Sequence, residues 1–355
     1  MNTRDRTVDA VRGLAIAGVV LGHWLVSAVV SDPYQPTALH GESPLAHTPE
    51  FAPVTWFLQT LGPFFFAAGY AAASRARHGK SLRRGRLLAP VLALAAVWLP
   101  ATLLLAAVGS PAGTRDLVRA LVTQPLWFLL VYLVLVALTP AVLRPLVVRC
   151  GPWVAVVPVA LAGVVDLIRP HGLPGWLGIV AAPVAWAVPY LLGIALAEER
   201  LHRRAGAVLL PLGVLTGAAL LWVARYPVSA VGVPGDRWSN LAPPSLFALA
   251  LAAAQVGGFL LLRPWLARVL RHRAAWAPIS ALNRHAMAIY CWHQTALLLV
   301  TFTGLLAGRP PGLLDEPTGD WPLHRLYWLP VFALVLAALT WLQASCTPGR
   351  RSSTT

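Results

Sequence analysis

The sequence predicts an all-α polytopic integral membrane protein with about ten transmembrane helices. Of its 355 residues 57% are hydrophobic and only 12% are charged, whereas an ordinary soluble domain carries about 25% charged residues. The mean hydropathy is +0.67. Its 15 Trp and 31 Pro residues also suit membrane helices, where Trp gathers at the interfaces and Pro is tolerated within spans.

Ten apolar runs of spanning length follow one another along the chain. They lie near residues 10–30, 52–73, 87–108, 121–143, 151–168, 177–197, 206–224, 242–262, 284–307 and 323–344. The fifth run is short and contains Pro152 and Pro158, so its ends are the least certain of the ten. An even number of spans places both termini on one side. We expect that side to be the cytoplasm, because most arginines then lie in cytoplasmic loops.

We expect residues 1–345 to form one transmembrane domain and residues 346–355 to form a cytoplasmic C-terminal tail. The first run has no small-residue cleavage site at its far end, so it should remain in the protein. Lys80 is the only lysine among many arginines. Together with abundant Ala and Pro, this indicates a high-GC bacterial genome, and we expect the protein in the bacterial inner (plasma) membrane.

Several classes of protein are disfavoured. The net charge of +15 comes from arginines on alternate loops, where anionic lipid headgroups are a sufficient partner, so nucleic acid is not expected. Cys150, Cys291 and Cys346 form no cluster with spacing typical of a metal site or a disulfide framework. The chain has no P-loop, Rossmann or Gly-x-Ser-x-Gly pattern. Any chemistry must therefore come from polar residues within the spans.

Arg12 and His23 flank ten apolar residues in the first run. Eleven helical positions make about three turns plus about 20°, with a rise of about 16 Å. Both side chains should then lie on one helix face, with Arg12 near a membrane surface and His23 deep in the hydrocarbon. Ionisable groups at that depth are costly and usually functional. The alternative is a histidine that is hydrogen-bonded to a neighbouring helix.

Other polar residues of the spans have two interpretations each. Asp9 precedes Arg12 by about one turn, and it either pairs with Arg12 or has a direct role. Asp166 either pairs with Arg169 three residues later or faces a polar cavity, which we favour. His293, beside a glutamine in the ninth run, is more typical of helix packing than of catalysis.

Arg83 and Arg86 lie three residues apart at the start of the third run. They are either part of a positive-inside anchor or an anion site, since arginines and helix N-termini both suit phosphate.

Five segments resemble the acyltransferase 3 family of membrane-bound O-acyltransferases. The signature of that family's first helix is Arg or Lys, ten residues and then His, as from Arg12 to His23. Further segments lie in the family's order: Pro63–Tyr70, Arg83–Arg86, Leu126–Tyr132, and Ile279–Ser280 through Tyr290 to His293. Ala68 stands where the family usually has Ser. The resemblance covers nearly the whole chain.

The resemblance implies transfer of an acyl group, commonly acetyl, from cytoplasmic acyl-CoA to a hydroxyl of an envelope glycan or a secreted metabolite. Acyl-CoA would be a substrate, with no permanently bound cofactor. His23 would be the catalytic base or acyl relay, Arg12 would hold the donor or orient the site, and Arg83 and Arg86 would bind coenzyme A phosphates. Weaker candidates for lining the cavity are Trp127, Tyr132 and Asp166.

A secondary transporter is the main alternative, because many apolar spans with scattered intramembrane charge also describe a carrier. We find no convincing internal repeat in the sequence, and Asp166 lies near a span end. A non-catalytic scaffold would give Arg12 and His23 no reason for their placement.

Overall fold

A computed structural model describes residues 5–79 and 84–346, and most of them are helical. The α-helices are α1 (Arg6–Val26), α2 (Pro44–His47), α3 (Thr55–Leu58), α4 (Leu61–Arg77), α5 (Arg84–Ala107), α6 (Ala112–Thr123), α7 (Leu126–Leu138), α8 (Arg144–Cys150), α9 (Val156–Ile168), α10 (Gly175–Ala197), α11 (Arg203–Trp222), α12 (Leu246–Val269), α13 (Arg273–Leu306) and α14 (Trp321–Cys346). Shorter helical turns are the 3₁₀ turns Pro49–Val54, Gly151–Ala155 and Arg169–His171 and the π-helical turn Thr139–Leu143. Strands β1 (Ala28–Ser31) and β2 (Leu39–Glu42) pair antiparallel, with Ala28 opposite Glu42.

Nine segments of the described residues are long and apolar enough to cross a membrane. One of them, Ala112–His171, is 60 residues long and contains the predicted fourth and fifth runs within α6 to α9. The predicted all-α polytopic membrane protein is therefore confirmed. The cytoplasmic location of both termini stays a prediction.

The chain divides into two compact units. Unit 1 comprises the described residues 5–22, 49–79 and 127–284, and unit 2 comprises 23–48, 84–126 and 285–346. Each of the helices α1 and α13 contributes to both units. The single domain over residues 1–345 stays a prediction, and residues 347–355 of the expected tail lie outside the described residues.

Within unit 1, glycines bring the backbones of α4 and α10 into direct contact. A Cβ atom at Gly69 would overlap the carbonyl oxygen of Tyr190, and one at Gly193 would overlap that of Phe66. Small residues allow membrane helices to pack this closely, and close packing replaces the hydrophobic effect as the force that holds them together.

The start of α1 in unit 1 is fixed by Asp5. Its Oδ1 accepts a hydrogen bond from the backbone N of Thr7 at 2.9 Å, and its Oδ2 accepts one from Arg263 Nη2 at 2.7 Å. Burial acts to raise the pKa of Asp5, but the hydrogen bonds from Thr7 and Arg263 outweigh it and hold the pKa below its ordinary value. Ionised Asp5 therefore stabilises the folded protein at pH values above the pKa that Asp5 has in the unfolded chain. This stabilisation is lost as the pH falls through the lower pKa that Asp5 has in the folded protein.

Within unit 2, Arg325 anchors the end of α1. Its side chain is fully buried, and it donates to the carbonyl oxygens of Trp24 at 2.8 Å, Ser27 at 2.8 Å and Gly312 at 3.0 Å. Its guanidinium also lies 4.8 Å from the ring centre of Phe332. Carbonyls at a helix C-terminus lack intrahelical partners, and a cation suits them. Arg325 therefore fixes the part of α1 that carries His23.

The contact of α4 with α10 predicts that Gly69→Ala lowers the free energy of unfolding by roughly 1–3 kcal/mol, since the new methyl group forces two backbones apart. The thermal unfolding midpoint in detergent measures the effect. Gly258→Ala is the matched control, because a Cβ atom there meets nothing within 4 Å and Ala favours helix. Equal midpoints for the two variants would contradict the packing argument.

Candidate active site

His23 lies in unit 2, in the last turn of α1, against two polar residues of α13. The ring centres of His23 and His293 are 5.1 Å apart, and Nε2 of Gln294 lies 3.4 Å from Nδ1 of His23. His293 and Gln294 are 1% and 2% exposed, whereas His23 is only half-buried. The structure thus brings together two predicted candidates, His23 and His293, and adds Gln294.

The hydrogen bonds of His293 define its tautomer. Its Nδ1 lies 2.7 Å from the carbonyl oxygen of Tyr290, which only accepts, so Nδ1 carries the hydrogen and Nε2 carries a lone pair. This buried Nε2 has no hydrogen-bond partner among the described residues, and the same holds for Oε1 of Gln294. Buried polar atoms are normally paired, and exceptions of this kind often have a functional cause.

Neighbouring groups of unit 2 hold His293 in place. The indole Nε1 of Trp24 donates to the carbonyl oxygen of His293 at 3.0 Å, and Arg325 in turn holds the Trp24 carbonyl. The hydroxyl of Tyr290 donates to the carbonyl oxygen of Pro125. The backbone beneath the imidazole pair is therefore fixed from two sides.

Arg12 lies in unit 1, where α1 meets the first part of α13. Its Nε donates to Oδ1 of Asn283 at 2.6 Å, and its Nη2 lies 3.4 Å from Oδ1 of Asp9. The predicted pair of Asp9 and Arg12 is confirmed. Asn283 also donates to the Asp9 carbonyl oxygen at 2.7 Å. The side chain of Arg12 remains 27% exposed, so it is oriented by two partners while part of it stays accessible.

Sequence reasoning missed Asn283 and Gln294 as members of these clusters. The available signal was the same for both, an amide side chain among largely apolar residues of α13. Such amides usually serve helix contacts, so their position alone does not separate a packing role from a functional one.

Asp166 and Arg169 in unit 1 form a buried pair. Their side chains are 5% and 7% exposed, with Oδ1 and Nη2 2.9 Å apart. Oδ2 of Asp166 also accepts from the hydroxyl of Tyr226 at 2.9 Å and from the backbone N of Leu246 at 2.7 Å. Burial and the neighbouring Asp166 raise the pKa of Tyr226. The pairing of Asp166 with Arg169, one of the two interpretations, is present in the structure. That Asp166 faces a polar cavity stays a prediction.

The remaining predicted residues are Trp127, Tyr132, Arg83 and Arg86. Trp127 and Tyr132 lie in α7 of unit 1, with ring centres 6.5 Å from Phe128 and 6.1 Å from Phe64, respectively. Their role in lining a cavity stays a prediction. Arg83 lies outside the described residues, and so does the side chain of Arg86.

The buried pair predicts that Asp166→Ala lowers the free energy of unfolding by roughly 3–5 kcal/mol, because Arg169 is left as an uncompensated buried charge. Thermal unfolding in detergent measures the loss. Asp116→Ala is the control: Asp116 and Arg119 have the same spacing, but their side chains are 69% and 64% exposed, so removal should cost at most about 1 kcal/mol. A stable Asp166→Ala protein that has lost activity would contradict a purely structural role and support the cavity role.

The chain matches known proteins at the level of a family. The family model described as an acyltransferase domain, Acyl_transf_3, matches residues 5–344. Comparisons with curated proteins and with solved structures gave no match. The family match covers nearly the whole chain and includes His23, His293 and Arg12. The chain therefore belongs to the acyltransferase 3 family and is a multi-pass membrane acyltransferase.

Proposed function

We propose that the protein transfers an acyl group, most simply acetyl, from cytoplasmic acyl-CoA to a hydroxyl of an envelope glycan or a secreted metabolite. The family supports acyl transfer at a membrane, and the imidazole pair supports transfer to a hydroxyl. The observation that carries the proposal is the 2.7 Å distance from Nδ1 of His293 to the Tyr290 carbonyl oxygen. It leaves Nε2 as an acceptor that has no donor among the described residues. Such a nitrogen is ready to accept a hydroxyl proton.

The reaction needs a base because an alcohol is a weak nucleophile. An imidazole of the pair takes the hydroxyl proton while the oxygen attacks the thioester carbonyl carbon. The new C–O bond forms, the C–S bond breaks, and the proton passes to the sulfur of the departing coenzyme A. A positioned base of this kind contributes about 10²–10⁴-fold to the rate.

Burial of His293 and Gln294 supports transfer over hydrolysis. His293 and Gln294 are almost wholly removed from solvent, and exclusion of water protects a reactive acyl donor from water as a competing nucleophile. The half-buried His23 provides an approach to the pair. This combination suits an acceptor that enters as a bound molecule.

On the donor side, we assign Arg12 to orienting the acyl-CoA and Arg83 and Arg86 to binding its phosphates. The fixed and partly exposed guanidinium of Arg12 supports its part, and the family resemblance supports the other two. Acyl-CoA is a substrate here, and no permanently bound cofactor enters the scheme. We place the protein in the bacterial inner membrane, with anionic lipids around its arginine-rich loops.

His23→Ala should lower acyl transfer about 10²–10⁴-fold, since the site loses one of its two imidazoles. The assay uses purified protein in liposomes, labelled acetyl-CoA and an extract of envelope glycans and metabolites. His171→Ala, at an exposed histidine in the turn Arg169–His171, is the control and should transfer label like the native protein. Coenzyme A binding should be retained in both variants.

Equal transfer by His23→Ala and the native chain would remove His23 from the chemistry. If no label is transferred and an extract component instead accumulates inside the liposomes, the protein is a secondary transporter under these conditions.

A further inference from the structure

A groove lies between α5, α13 and α14 in unit 2, with a volume of about 610 Å³. On α5 it is lined by Ala89, Ala93 and Ala101 among others. These alanines are spaced in multiples of four residues, so they share one helix face, and their small side chains leave space beside that face. On α13 the lining extends from Trp292 to Phe302.

The groove lies on the face of α13 that points away from His23. Its α13 residues recur every three or four positions, at 292, 295, 299 and 302, so they lie on one side of the helix. His293 and Gln294, which contact His23, lie on roughly the opposite side, because successive residues are about 100° apart. The groove is therefore separate from the imidazole pair.

The indole nitrogens that reach the groove are paired within its walls. Nε1 of Trp98 donates to Oγ1 of Thr295 at 2.9 Å, and Nε1 of Trp292 donates to Oε1 of Gln343 at 2.7 Å. Across the described residues, the buried polar side-chain atoms that lack a partner all belong to residues outside this groove. An occupant therefore meets chiefly carbon atoms, which suits a hydrocarbon chain and penalises a polar molecule.

The dimensions of the groove suit one extended chain. Its walls run from Trp292 to Phe302 on α13 and from Ala89 to Leu105 on α5, roughly 15 and 24 Å at the rise of a helix. The volume then corresponds to a mean width of roughly 6–7 Å, whereas a helix with its side chains needs about 10–12 Å. Carbon atoms in contact lie about 3.5–4 Å apart, so a hydrocarbon chain fits where a helix of a second copy does not.

The surroundings of the groove supply such chains. Both α5 and α14 are long and apolar enough to cross a membrane, and most of each helix is not buried by other parts of the protein. Val97, Leu104 and Leu342, which line the groove, are exposed, so it is open on a side that faces lipid. The segments outside the described residues, 1–4, 80–83 and 347–355, are short and mostly polar, and none of them supplies an apolar occupant.

We propose that this groove binds one acyl chain of a membrane phospholipid, held lengthwise between α5 and α14 against α13. The site is independent of the proposed acyl transfer. Its affinity rests on packing, because bulk lipid is as apolar as the groove. Walls without a neighbour on one side lose dispersion contacts, and a bound chain restores them. The chain thus stabilises unit 2 behind the turn of α13 that carries His293.

A photoreactive lipid locates the chain. The protein is irradiated in vesicles of phosphatidylethanolamine and phosphatidylglycerol that contain a phosphatidylethanolamine with a diazirine in one acyl chain, and peptide mass spectrometry maps the adducts. Ala93 and Trp98 should be labelled at least as strongly as Leu92 and Leu99, which are exposed on α5 outside the groove. Ala93→Phe fills the groove and should lower labelling of Trp98 several-fold. Ala96→Phe, the same change at an exposed position of α5 outside the groove, should leave that labelling unchanged.

Thermal unfolding in detergent provides a second measurement. Added phospholipid should raise the midpoint of the native protein and of Ala96→Phe by roughly 2–4 °C, because a ligand of the folded state stabilises it. Ala93→Phe should unfold no earlier than the native protein and should show no such rise. If Ala93→Phe unfolds at a lower midpoint, Ala101→Phe repeats both measurements at another level of the groove.

Two results would overturn the site. Labelling confined to Leu92 and Leu99, with the same response of all variants to added phospholipid, would show that lipid only surrounds the helices. Copies of the protein cross-linked to each other between residues of α5 and α14 would assign the groove to a second copy. Either result would leave the acyltransferase proposal standing, because acyl transfer is measured separately.

Discussion

Within the hydrocarbon core of a membrane a polar group must find its hydrogen-bond partner inside the protein, because lipid offers none. Most buried polar side chains described above obey this constraint. Arg325 has no carboxylate within salt-bridge distance among the described residues, yet it donates to three backbone carbonyls. Asp166 is paired with Arg169 and also accepts from Tyr226. Against this background, the unpaired acceptors of His293 and Gln294 are informative.

The same constraint explains how each unit is held together. Membrane helices gain little from burying apolar side chains, since lipid is as apolar as their neighbours, so close backbone packing and polar contacts carry the association. Gly69 and Gly193 provide the close packing in unit 1. Polar contacts do so in unit 2, where Arg325 donates to the carbonyl oxygen of Trp24 and the indole of Trp24 donates to the carbonyl oxygen of His293. Groups that stabilise unit 2 thereby also fix the imidazole that we propose as a base.

Features set by local sequence could be predicted well. The apolar runs predicted most of the spanning helices, because the length and apolar composition of a segment together decide whether it can span a membrane. The pair of Asp9 and Arg12 followed from helical spacing. The fourth and fifth runs were harder to delimit: Gly151, with a φ of +66°, and Pro152 interrupt the helix between α8 and α9.

Features that depend on distant residues could not be predicted. The hydrogen bonds that Asp166 accepts from Tyr226 and Leu246 were not predicted, because these partners lie 60 and 80 positions away in the sequence. Gln294 and Asn283 were missed as members of the clusters because their contacts on α1 lie 271 residues from them in the sequence. The sequence reveals which polar residues enter the membrane, but only the fold reveals which of them are satisfied.

The distinction between satisfied and unsatisfied groups bears on the chemistry. A base that is already hydrogen-bonded must lose that bond before it can take a substrate proton, whereas Nε2 of His293 has none to lose. An unpaired Nε2 lowers the free energy of unfolding of the protein without substrate. The hydroxyl of a bound acyl acceptor donates to Nε2 and so removes this destabilisation. Apolar lipid and the donor thioester bring no hydrogen to share, so they leave Nε2 unpaired, whereas the hydroxyl of an acceptor pairs with it.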